Sequence, residues 1–299
     1  MTLLKTENLT KKFGSFKAVD EINIEVKKGE VYGFIGPNGA GKSTTIRVLL
    51  GMLRATNGRA SIFDKDVWKD AVEIHKRVAY VPGDVNLWPN LTGGEVIDLF
   101  MKLRGGTVNK QKREELIQKF NFDPSKKCRT YSKGNRQKVS LIAAFASDAD
   151  LYILDEPTSG LDPLMERAFQ ECVMEARNEG KSILLSSHIL SEVERLCDRV
   201  GIIRDGQIIE SGSLDELRHL TRTNLKVETK LAVIALEDMK GVHNVERKEH
   251  TLSLQVDTEN MDDVIRHISQ FGVVKLESAP PTLEDLFMRH YEGDSGGES

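Results

Sequence analysis

An eight-residue glycine-rich segment constrains the fold of this chain more than any other part of the sequence. It reads Gly36-Pro-Asn-Gly-Ala-Gly-Lys-Ser43, a match to the pattern GxxxxGK[ST]. The apolar run Val31–Ile35 comes directly before it and predicts a strand, and a helical pattern follows from Lys42 to Leu53. The motif indicates a phosphate-binding loop only where a strand precedes it and a helix follows it. The sequence therefore predicts a phosphate-binding loop at the end of a strand.

The residue types in this loop suit an anion. Glycines let backbone N–H groups curve around a phosphate without Cβ clashes, and the helix N-terminus adds unpaired donors and the positive end of its dipole. Lys42 would place a point charge between the β- and γ-phosphates, and the Ser43 hydroxyl is a hard oxygen ligand suited to Mg²⁺. Average residue frequencies give roughly a 1% chance of such a match in a chain of this length. An ordinary glycine-rich turn is therefore a poor explanation.

Other apolar runs predict the core around this loop. Leu151–Leu154 and Ser182–Ser186 are short, continuous apolar runs, typical of strands that are buried on both faces of a parallel sheet. Ile202–Ile209 predicts a hairpin that turns at Asp205-Gly206. Because strands alternate with helical patterns up to about residue 220, we expect an α/β fold of the P-loop NTPase kind.

Two carboxylates follow one of these strands. Asp155 and Glu156 come directly after Leu151–Leu154, at the carboxyl end of the strand, where open α/β sheets bind ligands. Asp155 suits a Mg²⁺ partner, either directly or through water. Glu156 suits a base that orients and activates an attacking water. An isolated Asp-Glu pair after a strand is more often a helix cap, but the phosphate loop favours the functional interpretation.

With these motifs in place, the sequence resembles the ATP-binding cassette (ABC) family over residues 1 to about 215. Tyr131-Ser-Lys-Gly-Asn-Arg-Gln-Lys138 stands where the family carries its LSGGQ signature. Asp155-Glu-Pro-Thr-Ser-Gly-Leu-Asp162 resembles the second acidic motif with its D-loop. Ser187-His188 resembles the switch histidine after a strand, and Phe13 resembles the aromatic residue that stacks on adenine. Six elements in the family's order make the resemblance specific.

The resemblance implies binding and hydrolysis of ATP with Mg²⁺. It implies that Glu156 and His188 are catalytic, with His188 contacting the γ-phosphate, and that Ser43 and Asp155 hold the metal. Val19 is expected to line the ribose. The full set of implied nucleotide contacts is Phe13, Val19, Gly36, Pro37, Asn38, Gly39, Ala40, Gly41, Lys42, Ser43, Thr44, Ser132, Lys133, Gly134, Asn135 and Asp162.

The signature segment implies a dimer. Ser132 is a candidate helix N-cap, and the backbone donors of Lys133 and Gly134 would lie in the first helical turn. Such a helix start is an anion site with no phosphate loop of its own. In this family it contacts the γ-phosphate that the opposite subunit holds, so two ATP molecules are sandwiched head-to-tail. The partner cassette is either a second copy or a different chain.

Two positions depart from the family pattern. Gly83 and then Asp84 follow Tyr80-Val-Pro82, where the family normally carries a glutamine that helps to hold Mg²⁺ and water. Asp84 then has three possible roles: to replace the glutamine, to be dispensable, or to face a membrane subunit. The signature has Lys133 for glycine and Asn135 for glutamine. Because Ser132 and Gly134 are kept, we expect the phosphate contact to survive, whereas these changes leave the hydrolysis rate open.

The domain organisation follows from changes in pattern along the chain. We expect an ABC domain over residues 1–220 with a helical insert at about 84–135, where Gly93–Arg104 and Lys110–Phe120 are amphipathic. Residues 221–291 predict a small ferredoxin-like accessory domain, with a helix at Leu231–Met239, and a short C-terminal helix up to about His290. Residues 292–299 are expected to be a disordered tail. A single cassette with this C-terminal segment resembles the ATPase subunits of ABC-2 type exporters.

The composition limits where the chain can be located and what it can bind. No run approaches the roughly 20 apolar residues of a membrane span, and no signal peptide is evident, so we expect a cytoplasmic chain. The resemblance implies that it lies on the inner face of the membrane, held there by a transmembrane permease. A net charge of −4 argues against nucleic-acid binding. The three widely spaced cysteines are expected to be reduced structural thiols. An importer ATPase and a nucleotide-gated switch without turnover stay open as alternatives.

Overall fold

The chain folds into two compact units, Met1–Gly212 and Ser213–Ser299. The computed structural model describes residues 1–103, 109–219, 222–248, 251–279 and 283–284. The first unit ends somewhat before the boundary near residue 220 that the sequence indicates. The expected C-terminal helix and the expected tail lie outside the described residues, apart from 283 and 284.

The first unit contains eleven strands and seven α-helices among its described residues. The strands are β1 (Thr2–Phe13), β2 (Phe16–Ile22), β3 (Glu25–Lys27), β4 (Val31–Ile35), β5 (Asn57–Ile62), β6 (Lys65–Asp66), β7 (Val78–Val81), β8 (Leu151–Asp155), β9 (Ser182–Ser187), β10 (Arg199–Arg204) and β11 (Gln207–Ser213). The helices are α1 (Lys42–Leu49), α2 (Ala71–His75), α3 (Gly93–Leu103), α4 (Lys110–Lys119), α5 (Lys133–Phe145), α6 (Pro163–Asn178) and α7 (Leu190–Leu196).

Two sheets organise this unit. The larger sheet has the order β11-β10-β4-β9-β8-β7, and its strands from β10 to β7 are parallel. The smaller sheet has the order β2-β1-β5-β6, with β3 also paired to β1, and its pairings are antiparallel. Every residue of β4, β8 and β9 is buried, as expected for central strands of a parallel sheet that is covered on both faces. The α/β class is therefore confirmed.

The helical insert is present, but it extends beyond the expected limit at 135. Helices α3 and α4 occupy the two segments that the sequence indicates, and α5 continues to Phe145. Thr92 and Glu95 start α3 with a reciprocal capping box, in which each residue's backbone N–H donates to the other's side chain. Helix α5 packs against both α3 and β7, so it joins the insert to the sheet. Its apolar continuation from Val139 to Phe145 is the physical reason that it does not stop at the signature motif.

The second unit is built on a four-stranded antiparallel sheet. Its elements are α8 (Leu214–His219), β12 (Thr223–Thr229), β13 (Val242–Lys248), β14 (Thr251–Val256), α9 (Met261–Ser269) and β15 (Val273–Ala279). The strand order is β13-β14-β12-β15 with antiparallel neighbours, the order of a ferredoxin-like sheet. Val264 and Ile268 of α9 are fully buried in the core of this unit.

The helix expected at Leu231–Met239 is wrong. This segment crosses from β12 to β13 without helical structure. Ala235 has a φ of 56°, which a right-handed helix does not permit. Val233 and Leu236 are buried in the core of the unit, whereas Leu231 and Ile234 are about two-thirds exposed. The apolar spacing that suggested a helix is therefore produced by two anchor residues in an irregular crossover.

Among the described residues, no helix is both long enough and apolar enough to cross a membrane. The three cysteines are free and buried. Burial raises the pKa of the Cys172 thiol to about 12 and raises the pKa of the Cys197 thiol well above its ordinary value. These thiols are therefore poor nucleophiles and poor metal ligands.

Candidate functional site

The order of the parallel strands brings the predicted motifs to one edge of the large sheet. Asp155 at the end of β8 lies beside Ser186 of β9, and Ser187 lies beside Ile35 of β4. Val81 of β7 pairs with Leu154 on the other side of β8. Because the carboxyl ends of parallel strands share an edge, the segments that follow these four strands lie together.

The phosphate loop connects β4 to α1 and encloses the ammonium of Lys42. Lys42 Nζ donates to the carbonyl oxygens of Gly36 at 2.6 Å and Pro37 at 3.1 Å, and the side chain is 5% exposed. Gly41 caps α1 with a φ of 112°, and a Cβ there would lie 2.5 Å from the carbonyl oxygen of Ala18. Only glycine fits this position, so the loop shape is specified locally.

The rest of the loop is partly open to solvent. Asn38 and Gly39 are exposed at its tip, and Ala40 is buried beneath them. Ser43 and Thr44 lie half-buried in the first turn of α1. A loop with an exposed tip and a buried cation has the form that a helix-terminus anion site requires.

Glu156 lies between two candidate charge partners. Its Oε1 atom is 3.5 Å from Lys42 Nζ, and its Oε2 atom is 3.1 Å from His188 Nδ1. Glu156 has a φ of 47°, an unusual value for a residue that is not glycine. Its backbone N–H donates to the Ser186 carbonyl oxygen at 2.9 Å. The structure therefore brings three predicted site residues together.

Asp155 is held in a more enclosed position. It is 6% exposed, and its Oδ1 atom accepts a hydrogen bond of 3.0 Å from the Ser186 hydroxyl. This bond orients the carboxylate and leaves its other oxygen available to a ligand. The donor set of a serine hydroxyl and a carboxylate suits Mg²⁺, which prefers oxygen ligands and usually keeps several waters. Ser43 and Asp155 are thus chemically suited to the metal that the sequence implies.

The signature segment starts α5, as the sequence predicts. The Ser132 hydroxyl accepts from the backbone N–H of Asn135 at 3.3 Å, which is the expected N-cap bond. Gly134 lies against the D-loop, where an added Cβ would come within 2.4 Å of the Gly160 carbonyl oxygen. The side chain of Lys133, which replaces a family glycine, donates to the Ser159 hydroxyl at 2.6 Å. The signature and the D-loop therefore form one surface of the cassette.

Three other predicted nucleotide contacts differ in how far they are exposed to solvent. Phe13 is about half-exposed at the end of β1, so its ring is available for stacking. Asp162 is exposed, and its carboxylate caps α6 by accepting from the Met165 N–H at 3.0 Å. Val19 has no exposed surface because it packs into the core of the first unit. Its side chain therefore does not offer a surface to a ribose, contrary to the expectation.

The position of the missing glutamine is tightly packed. An added Cβ at Gly83 would lie 3.1 Å from the Asp155 carbonyl oxygen, and the next residue, Asp84, is exposed. A buried glutamine from α5, Gln137, reaches the same loop and donates to the Pro82 carbonyl oxygen at 3.3 Å. The signature helix is thus tied to the segment that follows β7.

The sequence motifs do not indicate Ser186 or Glu192, and they indicate Ser187 only as the residue before His188. Ser186 orients Asp155, and the Ser187 hydroxyl donates to the buried carboxylate of Glu192 at 2.7 Å. Ser186 and Ser187 end a buried strand that faces the phosphate loop, which is a usable signal. Glu192 lies next to Val193 on a short helix. A charged residue next to an apolar one on a helix normally indicates the face that solvent covers, so the sequence does not indicate that Glu192 is buried.

Comparison with known proteins agrees with this geometry. A family model described as "ABC transporter" matches residues 19–159, and one described as "ATP-binding protein DrrA1-3-like, C-terminal domain" matches residues 212–291. The "Bacitracin transport ATP-binding protein BcrA" of Bacillus licheniformis is 33% identical, over 99% of each chain. The "Daunorubicin resistance ATP-binding protein DrrA3" of Streptomyces coeruleorubidus is 30% identical, over 98% of this chain and 96% of that protein.

A solved structure gives the same result for the first unit. It is described as "Structure of ATP binding subunit of ABC transporter", with a TM-score of 0.68 and 33% sequence identity. The match covers 73% of this chain and 92% of that one. The resemblance drawn from the motifs, over residues 1 to about 215, is therefore confirmed. This chain belongs to the ABC transporter family, as an ATP-binding and ATP-hydrolysing cassette subunit.

Proposed function

We propose that this chain is the motor of an ABC-2 type exporter, and that it hydrolyses Mg·ATP within a head-to-tail dimer. The observation that carries the chemistry is the position of Glu156 between Lys42, at 3.5 Å, and His188, at 3.1 Å. Phosphoryl transfer to water requires a base and a cation that binds phosphate. Here both lie with a histidine at one edge of the large sheet.

The roles of the side chains follow from these distances. Lys42 neutralises phosphate charge, and Glu156 accepts the proton of the attacking water. The His188 ring lies beside Glu156, with Nδ1 3.1 Å from Oε2, and would contact the γ-phosphate. Ser43 and Asp155 would hold Mg²⁺, which neutralises charge that develops on the phosphate oxygens.

The dimer is supported by the surface around the signature segment. The N-terminus of α5 is capped by Ser132 and packed on the D-loop of its own subunit. Lys133 adds a positive side chain there, and both residues are exposed. This surface has the unpaired donors of a helix start, which suit a phosphate presented by a second cassette.

An apolar groove supports contact with a permease. It has a volume of about 580 Å³ and is lined by parts of α2, β7, α3 and α5, together with the loops beside them. Met52 and Val72 line it and are more than half exposed. An apolar groove beside Asp84 and the site edge suits an apolar helix end from a membrane subunit. We therefore place the chain at the inner face of the membrane, attached through its permease.

The relatives' names favour export of an antibiotic-like cargo. One is named for bacitracin transport and another for daunorubicin resistance. We expect loss of the gene to lower resistance to at least one such compound, and the wild-type chain, but not Glu156→Gln, to restore it. Unchanged resistance to both bacitracin and daunorubicin would contradict this cargo class.

The permease contact is tested by purification from the native membrane. The double variant Met52→Arg/Val72→Arg should keep the phosphate release of the isolated chain and lose the co-purifying permease. Leu231→Arg, an equally exposed position in the second unit, is the matched control and should keep both. Retention of the permease by the groove variant would contradict the proposed docking site.

A further inference from the structure

The strand β15 forms an exposed edge of the sheet in the second unit. It pairs with β12 on one side, and within the described residues no strand pairs with its other side. All seven of its residues are exposed. The unpaired N–H and C=O groups of such an edge are a template on which a further strand can bind.

The other edge of this sheet is interrupted, whereas β15 is regular. β13 has a register shift between His243 and Glu246, and Asn244 has a φ of 49°. Irregularities of this kind turn an edge strand away from further pairing. β15 keeps an unbroken register against β12 from Lys275 to Ala279. We therefore expect an additional strand to join the sheet at β15.

The two faces of β15 differ in chemistry. Leu276 lies opposite the buried Val227, so Leu276 and Val274 point to the core side of the sheet, where they are 41% and 57% exposed. Lys275 and Glu277 point to the other side, with Nζ and Oε1 2.5 Å apart. A partner strand must therefore meet apolar side chains on one side and two opposite charges on the other.

We propose that this partner is the same strand of a second copy of the chain, in an antiparallel pair centred on Leu276. This register pairs all seven residues of the strand. Leu276 then meets Leu276 of the second copy, and Lys275 of each copy lies opposite Glu277 of the other. A pair centred on Lys275 or on Glu277 would instead place like charges opposite each other, which is destabilising.

The neighbouring strand extends this charge complementarity. Lys226 and Glu228 of β12 lie opposite Glu277 and Lys275, respectively. In the proposed pair, a row across four strands therefore alternates in sign: Lys226 and Glu277 of one copy are followed by Lys275 and Glu228 of the other. Charged edge residues normally prevent strand pairing, but these charges favour pairing with an identical edge.

The size of the contact determines when it is effective. Seven residues a side is well below the roughly 20–30 residues a side of a standard interface. We therefore expect the pair to be transient in dilute solution and to leave the mass of the free chain unchanged. It becomes effective where two copies are already held close together, because the second contact is then intramolecular.

Cysteine cross-linking of the intact, nucleotide-free chain tests the register. Facing Cα atoms of an antiparallel pair lie about 4.5–5.5 Å apart, which a disulfide can span, and the native cysteines are buried. Leu276→Cys should therefore cross-link to a second copy at least about fivefold faster than Leu231→Cys, although Leu231 is the more exposed residue at 65%. Val274→Cys should cross-link with Ser278→Cys in a mixture but not with itself, because each faces the other in the proposed register.

Charge reversal tests the complementarity. In the Leu276→Cys background, Lys275→Glu alone and Glu277→Lys alone should each cross-link at least about threefold more slowly, because like charges then face each other. A mixture of the two variants should recover the rate, because each strand again meets opposite charges. Misfolding of either variant would not be corrected by mixing, so the recovery distinguishes recognition from a structural defect.

Three results would overturn the proposal. Cross-linking of Leu276→Cys no faster than that of Leu231→Cys would leave the edge to a strand of a different protein. Self-cross-linking of Val274→Cys at the rate of Leu276→Cys would show that the collisions have no register, and a mixture of the charge variants that does not recover would exclude the charge pairing. Because no nucleotide is present, the result does not depend on the proposed head-to-tail sandwich.

Discussion

At the scale of single residues, local backbone strain coincides with a proposed catalytic role at Glu156. Its positive φ turns the chain sharply at the end of β8, so that the carboxylate reaches both Lys42 and His188. A conformation of this kind costs on the order of 1–3 kcal/mol and persists only where the surroundings hold it. The Ser186 carbonyl oxygen and the turn that follows supply that support.

The first prediction concerns the base. Glu156→Gln should keep ATP binding and lose turnover by at least about 100-fold, because an amide cannot accept the proton of the attacking water. Steady-state phosphate release and nucleotide titration measure the two quantities. Glu179→Gln, an exposed residue at the end of α6, is the control, and turnover near wild type in Glu156→Gln would refute the assignment.

The second prediction concerns the cation in the loop. Lys42→Ala should weaken ATP binding by at least about tenfold, or ~1.4 kcal/mol, because the phosphates lose their principal point charge. Lys65→Ala, an exposed lysine in β6, should bind as the wild type does. Equal affinities for the two variants in a nucleotide titration would be incompatible with the site.

The third prediction concerns pH and stability. Burial raises the pKa of Glu192 above its ordinary value, so the folded chain binds this proton more readily than the unfolded chain. The stabilising contribution is complete below the unfolded pKa of about 4.3 and is lost as pH rises through the folded pKa. Glu192→Gln is neutral at every pH, so it should melt at a higher temperature than the parent at pH 8, with little difference at pH 4. A variant that melts lower at pH 8 would contradict this.

At the scale of elements, prediction succeeded where a pattern is local. The phosphate loop, β8, β9, and the β10–β11 hairpin have motifs or continuous apolar runs, and all lie as expected. Strand β1 carries register shifts and a positive φ at Asn8, which interrupt the alternation that would reveal it. The helix predicted at 231–239 is absent. Two buried residues, Val233 and Leu236, have the spacing of a helix face, although the segment between β12 and β13 is irregular.

The fourth prediction concerns the loop after β7. Because Asp84 is exposed and Gly83 packs on the end of β8, we expect the site to depend on Ser43, Asp155 and waters. Asp84→Ala should then change the ATPase rate of the isolated chain less than about threefold, a barrier change under about 1 kcal/mol. A tenfold loss that raised Mg²⁺ restores would make Asp84 a metal-site residue. A loss seen only with the permease present would place Asp84 at that interface.

At the scale of the whole molecule, the site depends on strand order. The sequence predicts which strands carry functional residues, but the order β7-β8-β9-β4 comes from long-range pairing that no local pattern contains. That order explains why residues as distant as Lys42, Glu156 and His188 meet. The same limit hid Glu192, because its burial against Ser187 is set by tertiary packing.

The fifth prediction tests the proposed head-to-tail sandwich by the mass of the Glu156→Gln chain in solution with Mg·ATP. We expect this mass to double on addition of ATP, because bound nucleotide that is not hydrolysed joins two cassettes. Ser132→Arg in the same background should bind ATP and stay monomeric, because a bulky cation replaces the cap that orients the phosphate donors. A Glu156→Gln chain that is saturated with ATP and remains monomeric, or a Ser132→Arg variant that still doubles, would contradict the account.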